Sequence, residues 1–304
     1  MLRIGTRGSP LALAQAEATR VCLAKAHGLD PATMAIRVFK TSGDLMQDRS
    51  LSDAGGKGLF TKEIDAALAA GDIELAVHSA KDMPTRLPPG LGIAAVLERE
   101  DARDALIAPR AASLAELPSG AVVGTASLRR RAQLLRLRPD LETVLFRGNV
   151  ETRLRKIAEG RADATLLALA GLNRLGLAGH AACILSIETF LPAVGQGAIA
   201  LAARSDDQAT LGLVAAIDHR DSASALAAER AFLAVLDGSC RTPIAAHARI
   251  EGGRLVLRGQ ILKPDGSQAH EICHTAGRED AETLGRAAGE ELRTRGGPDF
   301  FASP

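Results

Sequence analysis

Along the first two-thirds of the chain, short apolar runs end in glycine or a polar turn, and each is followed by a stretch with helical spacing. The run at 2–5 reads as a strand. Ser9 suits an N-cap and Pro10 the first helical position, so a helix over 11–26 follows with its free amides at that turn. Residues 35–39 give the next strand, and a long polar, glycine-rich segment runs from Ser42 to Gly58. A helix over 59–70 stops at Gly71, before a buried-strand candidate at 73–77. The same order returns: strand 121–124, helix 128–137, strand 143–146, helix 150–159 stopped by Gly160, strand 164–168.

GDIELAVHS and GRADATLLA therefore read as one structural step used twice, with a strand at 196–201 crossing back to the first set. Strand–helix alternation predicts an α/β fold with mainly parallel sheets in two lobes, whose ligand sites lie at the carboxyl ends of strands, in a cleft between them. After Arg204 the pattern changes. Residues 218–222 cap a helix to about 236. Strands at 243–249, 254–262 and 268–275 follow, with a turn at Lys263-Pro264-Asp265-Gly266, then a helix over 280–295. This predicts a small C-terminal α+β domain with a three-stranded antiparallel sheet. The expected domains are 1–97 with 198–216, then 102–192, then 219–304.

Composition narrows the function. The 304 residues are 46% hydrophobic and 24% charged, which excludes general disorder. Lys+Arg 37 against Asp+Glu 36 leaves +1, and seven Phe are the only aromatics, so neither bulk attraction to nucleic acid or membrane nor a base-stacking platform is expected. The four Cys (22, 183, 240, 273) form no CxxC pair. They read as reduced thiols, three of them as core packing. No apolar run approaches 18 residues and the N-terminus lacks the pattern of an export signal, so a soluble cytoplasmic protein is expected.

Several motifs offer chemistry. His270-Glu271-Ile272-Cys273-His274 matches HExxH, but zinc chemistry needs that pattern on a helix, and here it falls in a period-2 segment. In a strand, positions four apart lie roughly 13 Å from one another, so no metal is expected. Gly55-Gly56-Lys57-Gly58 lacks phosphate-loop spacing, and 42–58 reads as a lid or an ordinary surface loop. Cys240, on a turn beside Arg241, is a nucleophile, an attachment point or a plain turn thiol. Lys81 and Asp82 follow the strand at 73–77, where a carboxylate could move protons, stabilise a cation or form a salt bridge. Arg7, Arg129, Arg130, Arg147 and Arg153 also follow strands, with the hydroxyls of Thr125 and Ser127 nearby. Such a set suits a ligand bearing several carboxylates or phosphates.

Taken in order, IGTRGSPLAL, GGKGLFTKE, AVHSAKDMPT, VVGTASLRRRAQL, RGNVETRL, AGLNRLG, VGQGA and the Cys240 turn resemble the porphobilinogen deaminase (hydroxymethylbilane synthase) family over nearly the whole chain. The resemblance implies two lobes like those of periplasmic binding proteins plus a third domain bearing the cysteine. It implies a monomeric cytoplasmic transferase of tetrapyrrole biosynthesis that joins four porphobilinogen units head to tail, releasing ammonia and hydroxymethylbilane. It also implies a dipyrromethane cofactor, held through Cys240 as a primer. Asp82 matches the catalytic acid. Ser79, Lys81, Thr125, Ser127, Arg129, Arg130 and Arg147 match cofactor-binding positions. Arg7, Ser9, Phe60, Arg147, Arg153, Arg174 and Gln196 match the substrate side. Two positions depart from the pattern: Asp53 stands where some members carry a lid lysine, and Leu145 where some carry a hydroxyl.

Overall fold

A computed structural model of the chain describes residues 2–45, 58–236 and 243–301. In chain order it begins with β1 (Leu2–Arg7), α1 (Pro10–His27), β2 (Met34–Phe39), α2 (Ser42–Leu45), α3 (Lys62–Ala69), β3 (Leu75–Ser79), β4 (Leu91–Val96) and β5 (Asp104–Ile107). Next come β6 (Val122–Gly124), α4 (Leu128–Leu137), β7 (Glu142–Val144), α5 (Val150–Ala158), β8 (Ala164–Ala168), α6 (Leu169–Arg174) and β9 (Cys183–Ile184). After β10 (Ile199–Arg204) come α7 (Gln208–Ala215), α8 (Arg220–Val235), β11 (Ile244–Glu251), β12 (Arg254–Leu262), β13 (Ala269–Ala276), α9 (Ala281–Gly296) and α10 (Pro298–Phe301).

These elements fall into two compact units. The described part of the first is 2–45, 58–100 and 197–223. Its sheet has the order β2-β1-β3-β10-β4. The expected parallel pairing holds for β1 with β2 and β3, whereas β10 runs antiparallel to both β3 and β4. Ile4, Leu23, Leu75, Leu201 and Val214 are fully buried there. As expected, Ser9 caps α1, its Oγ accepting from the Ala12 amide at 3.3 Å, and Gly28 ends the helix at φ 64°. Helix α3 starts later than its apolar spacing predicts, because Gly58 to Thr61 closes a turn through Thr61 N–H to Gly58 C=O.

The second unit comprises 101–196 and, among described residues, 224–236 and 243–301. It contains two sheets. One has the order β7-β6-β8-β5-β9, with β6 parallel to β7 and β8, and β5 antiparallel to β8 and β9. The other is the predicted antiparallel β11-β12-β13 sheet, whose last turn closes through Gly266 N–H to Lys263 C=O. That turn packs on α4: a Cβ at Gly266, where φ is 76°, would lie 2.6 Å from the Ala132 carbonyl oxygen. Only glycine tolerates both that conformation and that approach. No described helix is long and apolar enough to cross a membrane.

Candidate functional site

In the first unit, β1 ends on Arg7 and β3 on Ser79, and the parallel β1–β3 pairing brings these ends together. The chain leaves β3 in a single 3-10 turn, 80–82, which puts Lys81 in solvent and leaves Asp82 partly exposed. The Asp82 carboxylate lies 3.7 Å from the Arg7 guanidinium. Arg7 is held from two further directions, by a salt bridge to Asp44 and by the Phe60 ring, 4.2 Å away. Burial favours the neutral Asp44 carboxyl, but hydrogen bonds from Arg7 and Thr41 outweigh it and keep the group below its usual range. Ser79 exchanges hydrogen bonds with the buried side chain of Gln15, at 2.9 and 3.1 Å. Arg7, Phe60, Ser79 and Asp82 thus share one end of the sheet, and Ser9 caps α1 two residues beyond Arg7. Asp44 and Gln15 were not predicted. Each is an ordinary polar residue until the fold seats it beside its partner.

In the second unit, Thr125 follows β6 and Ser127 caps α4, its Oγ accepting from the Arg130 amide at 3.4 Å. The Thr125 hydroxyl accepts from the Ser127 amide at 3.2 Å. The next residues, Arg129 and Arg130, are buried on Asp104, which is 0% exposed. Arg129 donates to Asp104 Oδ2 at 2.8 Å and to the Leu191 carbonyl at 2.7 Å. Arg130 donates to Asp104 Oδ1 through Nε and Nη2, at 3.2 and 2.6 Å, and to the Leu166 carbonyl at 2.9 Å. Gln196, 1% exposed, donates to the same Oδ1 at 2.9 Å and to the Ala102 carbonyl at 2.7 Å. Burial alone would raise the Asp104 carboxyl, but the charges of Arg129 and Arg130 hold it far below the ordinary carboxylate range. Asp104 escaped prediction because DALI offers only four residues, too few to show a period.

The remaining positions lie on the segments that follow β7 and β8 or outside the described residues. Arg147 follows β7 and is partly exposed, its carbonyl accepting from Lys156 at 3.0 Å. Arg153, on α5, donates to the Gly148 carbonyl at 2.9 Å, and Arg174 ends α6. Leu145 is 54% exposed. Asp53, Lys57, Cys240 and most of the 42–58 segment lie outside the described residues; Ser42 to Leu45, within it, forms the single turn α2. HExxH lies in β13 as expected: His274 pairs with Glu291 at 2.7 Å, and His270 packs edge-on against Phe300. The core-packing expectation fails for Cys22 and Cys273, both exposed. Cys22 lies off the buried Ala16–Thr19–Leu23 stripe of α1, and Cys273 on the strand face opposite buried Ile272.

Chemically, one unit offers a part-exposed carboxylate beside a guanidinium, and the other a buried cluster of two guanidiniums on one carboxylate, with a surplus of one positive charge. Residues 2–212 match the family described as "Porphobilinogen deaminase, dipyromethane cofactor binding domain", and 223–294 match "Porphobilinogen deaminase, C-terminal domain". Proteins named porphobilinogen deaminase from Nitrobacter hamburgensis and Nitrobacter winogradskyi are each 59% identical over 298 residues, covering 98% of this chain and 94% of theirs. Among solved structures, protein PG110 from Staphylococcus aureus aligns over 95% of this chain and 100% of its own, at 12% identity and a TM-score of 0.44. A nutrient binding protein from Burkholderia cenocepacia, bound to methionine, aligns over 71% of this chain and 91% of its own, at 15% identity and a TM-score of 0.43.

Proposed function

Because the chain belongs to the porphobilinogen deaminase family, we propose that it joins four porphobilinogen molecules head to tail on a dipyrromethane primer held through Cys240, releasing ammonia and hydroxymethylbilane. It does so as a cytoplasmic monomer. The residues present suit such a primer. Each pyrrole carries carboxylates, and the Arg129–Arg130–Asp104 cluster has one net positive charge together with a buried Arg129 Nε that has no partner among the described residues. Arg130, Arg147, Thr125 and Ser127 would share the primer's carboxylates with Arg129. When bound, the primer supplies the nucleophilic pyrrole carbon.

The observation that carries the reading is Asp82 at the end of β3, part-exposed and 3.7 Å from Arg7. Its carboxylate stabilises positive charge as it develops on a pyrrole nitrogen, and it carries the proton lost or gained as ammonia departs. Arg7, over Phe60, grips a substrate carboxylate and orients Asp82. Ser9, Arg153 and Arg174 add donors for the growing chain. Lys81 and Ser79 flank the acid, and Gln196 contributes through Asp104.

The test is the intact mass of the purified protein with two variants. Wild type should exceed its sequence mass by two linked pyrrole units. Cys240→Ala should fold without that increment although the exposed Cys22 and Cys273 remain, and Asp82→Ala should cut turnover by at least two orders of magnitude, as loss of a preorganised charge does. An unmodified wild type that makes tetrapyrrole would overturn the reading.

A further inference from the structure

Asp104 is a β5 residue whose carboxylate receives four side-chain donors: Nη2 of Arg129, Nε and Nη2 of Arg130, and Nε2 of Gln196. A guanidinium has five N–H donors in a fixed plane. Among the described residues, Arg130 spends three on protein acceptors, which leaves two (5 − 3). Arg129 spends two, which leaves three (5 − 2), and its buried Nε is among those without a partner in the described residues. Two adjacent buried cations would repel one another, and an anion between them offsets that repulsion. Here the anion also selects an edge. It occupies Nη2 of both forks, while the Leu191 and Leu166 carbonyls take Nη1 of each.

We propose that Asp104 is a positioning residue for primer loading: it locks the Arg129 and Arg130 guanidiniums in the orientation that leaves a fixed set of donors for one ligand carboxylate. This rests on the proposed function above. Neutralising one of the two charges makes the cluster selective for a single carboxylate rather than a pair. Gln196 takes part by holding Asp104 Oδ1 from the turn before β10.

The experiment follows loading of full-length apoprotein with porphobilinogen by intact mass, well below the unfolding midpoint. The chains are wild type, Asp104→Asn, Asp104→Glu, Arg129→Lys, and Asp104→Glu combined with Arg129→Lys. Asp104→Glu keeps the charge and displaces the carboxylate by one methylene, so it tests position with the ion balance intact. Both Asp104 variants should gain the increment at least tenfold more slowly. In the Arg129→Lys background the Asp104→Glu change should slow loading less than it does in the wild type, because the part of its effect that acts through the Arg129 fork is lost while the part through Arg130 remains. A folded Asp104→Glu that loads at the wild-type rate overturns the proposal, and so does slowing that multiplies fully in the double variant. If neither Asp104 variant folds, the carboxylate is a requirement of the fold and the positioning claim falls. A wild-type chain that never gains the increment fails the proposed function and this inference with it, whereas normal loading by the variants fails this inference alone.

Discussion

A Cβ placed on Gly43 would lie 2.4 Å from the Phe60 ring and 2.9 Å from the Leu59 carbonyl oxygen. Gly43→Ala should therefore push the ring off Arg7. Loss of a cation–π contact of about 0.5–1 kcal/mol should raise the KM for porphobilinogen roughly two- to fivefold with kcat little changed, as read by steady-state kinetics. His78, one residue before Ser79, is 4% exposed. Burial first, and then the charge of Arg7, lower its pKa from 6.5 to about 4. The unfolded chain thus takes up a proton near pH 6.5 that the folded chain refuses until about 4, so stability is full above 6.5 and falls as pH drops through that window. The interval is worth about 3 kcal/mol at most. Asp65, whose carboxyl is raised by burial and lies 3.7 Å from His78, offsets part of it. Urea unfolding at pH 7 and pH 4.5 should show a smaller acid loss for His78→Gln than for wild type, and equal losses would exclude His78 as the cause.

At the scale of elements, local signals carried far. Ser9 and Ser127 both cap helices, and six residues after each a glutamine is buried, Gln15 bonding Ser79 and Gln133 bonding Leu191. The caps were legible because they depend on a few adjacent residues. What the glutamines reach was not, because those partners lie 64 and 58 residues away. Helix packing was equally hidden. Gly285 and Gly289, one turn apart on α9, let it approach α8 so closely that a Cβ at Gly285 would lie 2.2 Å from the Ala228 carbonyl oxygen. Backbone on both sides cannot yield cheaply, so Gly285→Ala should destabilise the protein by about 1–3 kcal/mol, although alanine favours helix. An unchanged thermal midpoint would refute that packing.

Across the whole chain, neither unit is one continuous segment: the first takes residues from before and after the 101–196 stretch, which belongs to the second. Strand β10 sits between β3 and β4, bonded to both. A chain truncated after residue 196 should therefore leave β4 without a strand partner and β3 as an open edge bonded only to β1, and limited proteolysis should cut it rapidly at sites that the full chain protects. Resistance equal to that of the intact protein would mean the first sheet closes without β10.

Hydrophobic spacing, caps and turn residues by themselves determined most of the longer helices and strands, though not β4, β5, β9, α6 or α7, together with the period-2 setting that disarms HExxH and the ordered motifs that mark the family. These are consequences of interactions within a few residues. Tertiary structure alone decided that β10 and β5 run antiparallel, that Asp44 grips Arg7, and that Asp104 gathers Arg129, Arg130 and Gln196. The side-chain pairings among them join residues 25 to 92 positions apart. Charge and size mark such side chains only as polar, and they acquire partners only when strand order closes the intervening loops.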